Sequence, residues 1–367
     1  VLVKSQIRMN PFDDAIRTDI FYDVSSERTA KIERVFVKVP PGEGNYQYLG
    51  DIYGGGLNNE NNFQLVNFGG DYVRLNIPTS ELFPTIDLRT SVKINLKPHK
   101  FFDLSGDGFI ENLFKNFSAE SFFRIDEKSK DPLTDNIYFL QLGTFLNDSN
   151  TIQGAQYFQQ DINFFENNSS YSLRLRYIQQ KGFNQFASGN ERLTSIQRSI
   201  RFRFGLMEGI SLQMDIFNKT DNNAAPKNLL RNRAINSDGI SFDFTYKPIP
   251  QIESGFLINF TRAQDKFPQT PTDADINYQT LRCIYSLIGS GRIRLEIERS
   301  EVSLNKDYFS IPYELTAGRV DGKSYYWRTV FDYNISRNLQ ASVIYDGRKE
   351  GTRKVIHEGR AQFTAFF

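Results

Sequence analysis

The feature that most constrains this chain is an apolar/polar alternation with a period of two, repeated in segment after segment from Tyr171 to the last residue. Tyr171, Leu173, Leu175 and Tyr177 interleave with Ser172, Arg174 and Arg176. A strand sends successive side chains to opposite faces, whereas a helix would scatter these residues around its circumference. Ile196, Arg198, Ile200, Phe202, Phe204 and Leu206 stand against Ser199, Arg201, Arg203 and Gly205. Ile210, Leu212, Met214 and Ile216 follow, and then Ile240, Phe242, Phe244 and Tyr246. The pattern continues through Phe256, Ile258 and Phe260, through Leu281, Cys283 and Tyr285, and through Ile293, Leu295 and Ile297. It closes with residues 325–333, 339–345 and a final segment that sets Ala361, Phe363, Ala365 and Phe367 against Arg360, Gln362, Thr364 and Phe366. Weaker candidates at 88–97, 117–125, 137–145 and 157–165 bring the expected total to about fourteen strands, each long enough to cross a bilayer at a tilt.

The connections carry a second periodicity. Short links at 166–170, 207–209, 248–251, 288–291 and 335–338 alternate with long polar ones at 180–193, 218–238, 262–276 and 300–323. Such alternation predicts turns on one side of a membrane and loops on the other. The fold class expected is therefore all-β, an antiparallel transmembrane β-barrel, either whole or part of a larger barrel. Residues 88–367 form the barrel, and 1–87 form an N-terminal plug, an extension or additional strands.

Composition agrees. The chain has 33 Phe and 18 Tyr yet a mean hydropathy of -0.47. A helical membrane protein needs apolar runs of roughly 20 residues, which are absent, while a barrel wall needs only alternate residues to be apolar. With 44 basic against 43 acidic residues, bulk charge gives no reason to expect a nucleic-acid partner. The chain begins at Val1 without a basic, apolar and small-residue leader, so it is read as a mature form or a fragment.

The pattern resembles that of bacterial outer-membrane barrels, whose last strand commonly carries alternating apolar residues and a terminal Phe recognised during assembly. Here that stretch is residues 359–367, and the resemblance implies Phe363 and Phe367 as the assembly signal, with outer-membrane lipids and the barrel-assembly machinery as partners. A barrel of this size with an N-terminal region also loosely resembles fatty-acid transport channels with an internal hatch. The segment Gly42, Glu43, Gly44, Asn45, Tyr46, Gln47 and Tyr48 resembles very large surface proteins of the Bacteroidota, including the giant barrel of their secretion system. That likeness implies further outer-membrane or periplasmic subunits.

Arg174, Arg176, Arg201, Arg203, Arg282, Arg292, Arg294 and Arg328 lie on the face opposite the apolar one. Facing lipid, each would cost roughly 2–4 kcal/mol near the midplane, so they are expected to line the lumen. Their plainer role is pairing with Asp215, Asp243, Glu253, Glu296, Glu298 and Asp332; their functional role is an electropositive, anion-favouring constriction. Tyr246, Tyr278, Tyr285, Tyr325, Trp327 and Tyr333 are candidates for interfacial girdles. Other constellations favour ordinary readings. Asp103, Ser105, Asp107 and Gly108 open like a calcium loop, but position twelve is Phe114 rather than a carboxylate. Gly54, Gly55 and Gly56 lack the Lys-Ser/Thr ending of a phosphate cradle. His99 and His357 have no nucleophile context, and one cysteine with two distant histidines makes no metal site. No enzyme activity and no cofactor are expected. The function expected is a channel or transport barrel passing small solutes; the alternative is a noncatalytic structural or secretion-associated barrel with a plugged lumen.

Overall fold

The computed structural model describes residues 2–101, 108, 111, 113, 115–166, 168–267, 271–287, 289–305 and 312–366. Among them are seventeen strands in one sheet. The N-terminal strands are β1 (Leu2–Met9), β2 (Ile16–Lys38), β3 (Gly44–Tyr48), β4 (Phe63–Gly70) and β5 (Tyr72–Leu96). Next come β6 (Ser118–Ser129), β7 (Thr151–Phe164), β8 (Tyr171–Phe186), β9 (Gly189–Met207), β10 (Ile210–Ala224) and β11 (Arg233–Ile249). The C-terminal strands are β12 (Ile252–Asp265), β13 (Thr272–Leu287), β14 (Gly291–Leu304), β15 (Gly322–Ser336), β16 (Leu339–Glu350) and β17 (Ile356–Ala365). An unbroken antiparallel meander runs β1–β2–β5 and then in chain order from β6 to β17. The β3–β4 hairpin stands outside that run, inserted between β2 and β5.

Two expectations are corrected here. Residues 137–145 do not form a strand: they hold a helical turn, α1 (Asp135–Tyr138), and a 3-10 turn (Leu142–Thr144). Positive φ at Leu140 and Leu146 breaks the extended backbone, and Ile137 and Phe145 bury against Val24, Ile86, Leu88 and Ile125. Their apolar spacing serves a loop folded onto the wall. The long polar links are also shorter than expected, since β8 runs to Phe186 and β9 begins at Gly189. Beyond the apolar band the outward residues turn polar, so the alternation fades while the backbone ladder continues. The count of seventeen keeps thirteen of the fourteen expected strands and adds β1, β2, β3 and β4 from the N-terminal region; the expected 87/88 boundary falls inside β5.

The inner face is the one opposite the apolar band, and it carries the inward arginines and the helical turn that follows β14. The helical turn α2 (Tyr313–Thr316) buries Leu315 against Ile235, Ala263, Ala274, Ile276 and Val302, which share one face of β11–β14. The opposite face carries Met214, Phe242, Ile258, Leu281 and Leu295, among others, all of one parity across the register. Its apolar band ends at a row in which Tyr177, Arg198, Asn218, Asp238, Arg262 and Asp275 are successive cross-strand neighbours. Asn218 Nδ2 donates to Asp238 Oδ1 at 2.8 Å within that row. Tyr246, Tyr285 and Tyr333 mark the short-turn ends of their strands, as a girdle requires. Tyr278 departs from the girdle reading, because it faces inward beneath the Arg319 guanidinium at 4.1 Å. Spin labels at Phe242, Phe256, Leu295 and Val343 are expected to be relaxed by lipid-soluble oxygen, and labels at Asp243, Arg294 and Ser342 are not. Equal relaxation of both sets in nanodiscs would sink the outward-facing assignment.

Candidate functional site: the lumen and its clasped mouth

Residues 39–71 leave the wall between β2 and β5 and cross to strands on the far side of the lumen. Their base is an aromatic cluster in which Phe36 stacks on Phe63 at 3.9 Å, with Tyr46, Tyr48 and Tyr72 around it. The tip is a turn that satisfies its own polar groups. Gly54, Gly55 and Gly56 all have positive φ, which glycine tolerates without a Cβ clash. The Gly56 N–H donates to Asp51 Oδ1 at 2.8 Å, and the fully buried Asn62 amide donates to Asp51 Oδ1 at 3.1 Å and to the Gly56 carbonyl at 2.8 Å. The glycine run thus acts as a turn whose inward donor is already taken.

Four charges, Glu191 buried and Arg34, Glu60 and Arg231 half-buried, fasten this segment. Arg34 on β2 donates to Glu60 Oε2 at 2.9 Å and also to Glu191 on β9. Arg231, in the 3-10 turn Leu229–Arg231, donates to Glu191 Oε1 at 2.7 Å and lies 3.4 Å from Glu60. Asn223 and Asn228 add amide donors to Glu191 and Glu60, and the Arg34 guanidinium lies 3.7 Å over the Phe186 ring. Two cations and two anions balance, which is the condition for tolerating charge removed from water. Glu191 lies beyond the polar row that bounds the lipid-facing band. Burial pushes its carboxyl up, but Arg231 and Arg34 outweigh that and hold it at about 2. The opposite flank is fixed too: Asn67 Nδ2 donates to the Ala317 carbonyl at 3.1 Å, and Phe68 stacks on Tyr326 at 5.3 Å with Arg348 over its other side.

Below the hairpin is a cavity of about 530 Å³ edged by Tyr46, Tyr53, Arg74, Asn223 and Tyr313. A second, of about 560 Å³, lies beneath α2 and is edged by Arg174, Arg176, Arg201, Asp215 and Tyr278. The largest hollow, about 1040 Å³, lies elsewhere, on the lipid-facing side around Leu175, Ile200, Ile216 and Phe260.

All eight arginines expected in the lumen share the inner face with α2. Arg176 pairs with Asp161 at 2.7 Å, Arg201 with Asp215 at 2.6 Å, Arg282 with Asp243 at 2.6 Å and Arg328 with Asp346 at 3.5 Å. Gly255 leaves room for Arg282 to lie along the wall, since a Cβ there would meet Nη2 at 2.9 Å. Arg174 donates to Asn163 at 2.8 Å. Arg203, Arg292 and Arg294 make no ion pair with the described residues. Of the anticipated acids, Asp215 and Asp243 take these arginines, Glu298 takes Arg319, Glu253 lies 4.0 Å from Lys247, and Asp332 accepts from Ser342. Glu296 faces Arg282 and Arg328 in register. Sequence reasoning missed Asp161, Asp346 and the whole clasp. The first two follow the inward parity of their strands; the clasp has no sequence signal, because its members come from four separate segments.

Phe363 is 68% exposed on the outward face of β17, and Phe367 lies outside the described residues. Asp103, Ser105 and Asp107 also lie outside them. His357 Nδ1 is 2.8 Å from the Tyr345 hydroxyl on the outward face, and His99 sits in the 3-10 turn Pro98–Lys100. Among the described residues no three metal-ligating side chains converge.

No family model and no curated protein matches the chain. Solved structures do. The FrpB iron transporter of Neisseria meningitidis, in its F5-1 apoprotein form, aligns with a TM-score of 0.50 at 9% identity, over 98% of this chain and 55% of FrpB. The chain thus spans little more than half the length of that protein. The F3-3 variant aligns with a TM-score of 0.41 at 9% identity, over 96% of this chain and 58% of that one. OmpT, an outer-membrane protein of Vibrio cholerae, aligns over 100% of both chains with a TM-score of 0.38 at 9% identity. The fold is that of outer-membrane β-barrels, and its lipid-facing band is consistent with a place in the bacterial outer membrane.

Proposed function

We propose that this chain is the wall of an outer-membrane transport barrel for small solutes, held closed at rest by the hairpin of residues 39–71. The observation that carries this reading is the largely desolvated quartet of Arg34, Glu60, Glu191 and Arg231, which ties the hairpin to β9 and the β10–β11 link beside two lumenal cavities. Passage then requires the hairpin to leave its clasp. FrpB, whose barrel this chain resembles in fold, is an iron transporter. The reading involves no catalytic step, cofactor, metal or nucleic acid; its partners are outer-membrane lipids and the assembly machinery, with Phe363 and Phe367 in the recognised last strand.

Selectivity falls to the arginines without acidic partners. Arg203, Arg292 and Arg294 sit near the short-turn ends of β9 and β14, where charge not held in an ion pair acts across the lumen, with Asp332 facing Arg292 in register. The other five are neutralised or bonded and chiefly hold the wall. In protein whose clasp is broken by Glu60→Gln and Glu191→Gln, a potassium chloride gradient should give an anion-preferring reversal potential. Adding Gln at 203, 292 and 294 should move it toward cations. An unchanged potential would dismiss these three as selectivity determinants.

The alternative, a plugged secretion-associated barrel of the Bacteroidota kind, is favoured by one detail: Gly44–Tyr48, within the segment that resembles those proteins, is the first strand of the hairpin. Absence of current through the clasp-broken protein, together with a stoichiometric copurifying subunit, would decide for it.

A further inference from the structure

Among the described residues β1 pairs with β2 alone and β17 with β16 alone, so the curled sheet has two free edges. Both edge strands are amphipathic in phase with the wall. On β1, Val3, Ile7 and Met9 share the outward face with Val24 and Ile20, while Arg8 turns inward to Asp19 at 2.5 Å. On β17, Ala361, Phe363 and Ala365 point outward with Val343 and Ala341, while Arg360 and Gln362 point inward. Both strands are exposed almost throughout. They therefore sit at the level of the lipid with every second N–H and C=O directed at nothing, a condition that hydrocarbon does not tolerate.

Direction restricts what can fill the gap. Met9 leads through a link to the short-turn end of β2, and Ala365 ends at the short-turn end of β17, so β1 and β17 run the same way. Joining them directly would make a parallel ladder in a wall whose consecutive strands are all antiparallel, the one parallel contact among the described residues being the single bridge Ile32↔Phe186 between β2 and β8. A second copy placed head to tail about the membrane normal would again set β17 beside β1 in parallel. Antiparallel ladders on both edges require an odd number of intervening strands.

We propose that the seam between β1 and β17 takes a β-segment with an odd number of strands from outside residues 1–367. Its strands alternate apolar outward and polar inward, and those at the two edges run opposite to β1 and β17. The segment completes the hydrogen bonding of the wall and widens the barrel beyond what this chain alone encloses. The inference concerns closure of the wall and stands whether or not the lumen transports.

The test uses the protein as it is produced in its own outer membrane. A photo-crosslinking benzoylphenylalanine is placed at Ser5 or at Ala361, with Phe242 in the middle of the wall as the lipid-facing control. Differently isotope-labelled copies are mixed, and crosslinked peptides are identified by mass spectrometry in the heat-modifiable, folded fraction. Ser5 and Ala361 should each join to peptides outside residues 1–367 that show the two-residue alternation, and Phe242 should give lipid adducts only. Should either position misfold, Gln6 and Gln362 are the substitute sites. Crosslinks between β1 and β17 of one copy would establish parallel self-closure and overturn the proposal. Crosslinks between differently labelled copies, or lipid adducts alone at both edges, would overturn it equally.

Discussion

Replacing Glu60 and Glu191 together by Gln is expected to free the hairpin of residues 39–71 and turn a nearly silent barrel into a conducting one. The two substitutions leave Arg34 and Arg231 facing each other without a carboxylate, with Arg34 only 9% exposed at its side chain. Stripping a buried ion pair of one partner costs about 3–5 kcal/mol, because the remaining charge stays desolvated. The contacts left on that flank are Phe186 beneath Arg34 and amide hydrogen bonds, each of which contributes far less. Two readouts should move together: trypsin should cut within residues 39–71, and planar bilayers should show current where the parent protein shows little. Intact resistance to trypsin with unchanged current would sink the clasp. Acid is a gentler probe with a defined sign. Glu191 is held at about 2, below its ordinary 4.5. A carboxyl depressed in the folded state contributes stability that is fully present above the ordinary value and is lost as pH falls through the depressed one. The parent hairpin should consequently stay clasped near pH 5, loosen progressively below 4.5 and lose the whole Glu191 contribution only below about 2. Release already complete at pH 5 would contradict the paired geometry.

A single-residue step along β11 should separate folding from failure. Phe242 lies outward between Met214 and Ile258, and Ser241 lies inward between Asp215 and Asn259. Phe242→Arg puts a guanidinium into hydrocarbon in the middle of the apolar run, at roughly 2–4 kcal/mol, and the yield of heat-modifiable protein in outer membranes should fall severely. Ser241→Arg places the same group in the polar interior beside Asp215 and should assemble at near-parental yield. Equal losses would mean that the two faces do not see different solvents. A loss confined to Ser241→Arg would mean that the faces have been assigned in reverse.

The strand character of the apolar halves of β8 to β17, the parity that turns the arginines inward and the short-turn side of the wall were all determined by the sequence itself. The reason is local: lipid on one face and a polar interior on the other impose a two-residue period that survives in composition. Where that difference ends, legibility ends. In the outer halves of β8 to β14 the outward residues turn mostly polar while apolar ones such as Ile235, Ile276 and Val302 lie inward beneath α2, so the phase of the alternation is lost although the backbone pairing continues. Residues 137–145 had strand-like spacing, yet two left-handed residues and burial against Val24 and Leu88 made them a loop. The clasp was beyond sequence altogether. Arg34, Glu60, Glu191 and Arg231 are ordinary surface charges until the curl of the sheet brings β2, the hairpin, β9 and the β10–β11 link to one point. Their long-range attraction is set by three-dimensional proximity and desolvation, and neither is encoded in the spacing of neighbouring residues. The two free edges likewise emerged only from the register, because strands β1 and β17 resemble the rest of the wall in everything except the missing neighbour.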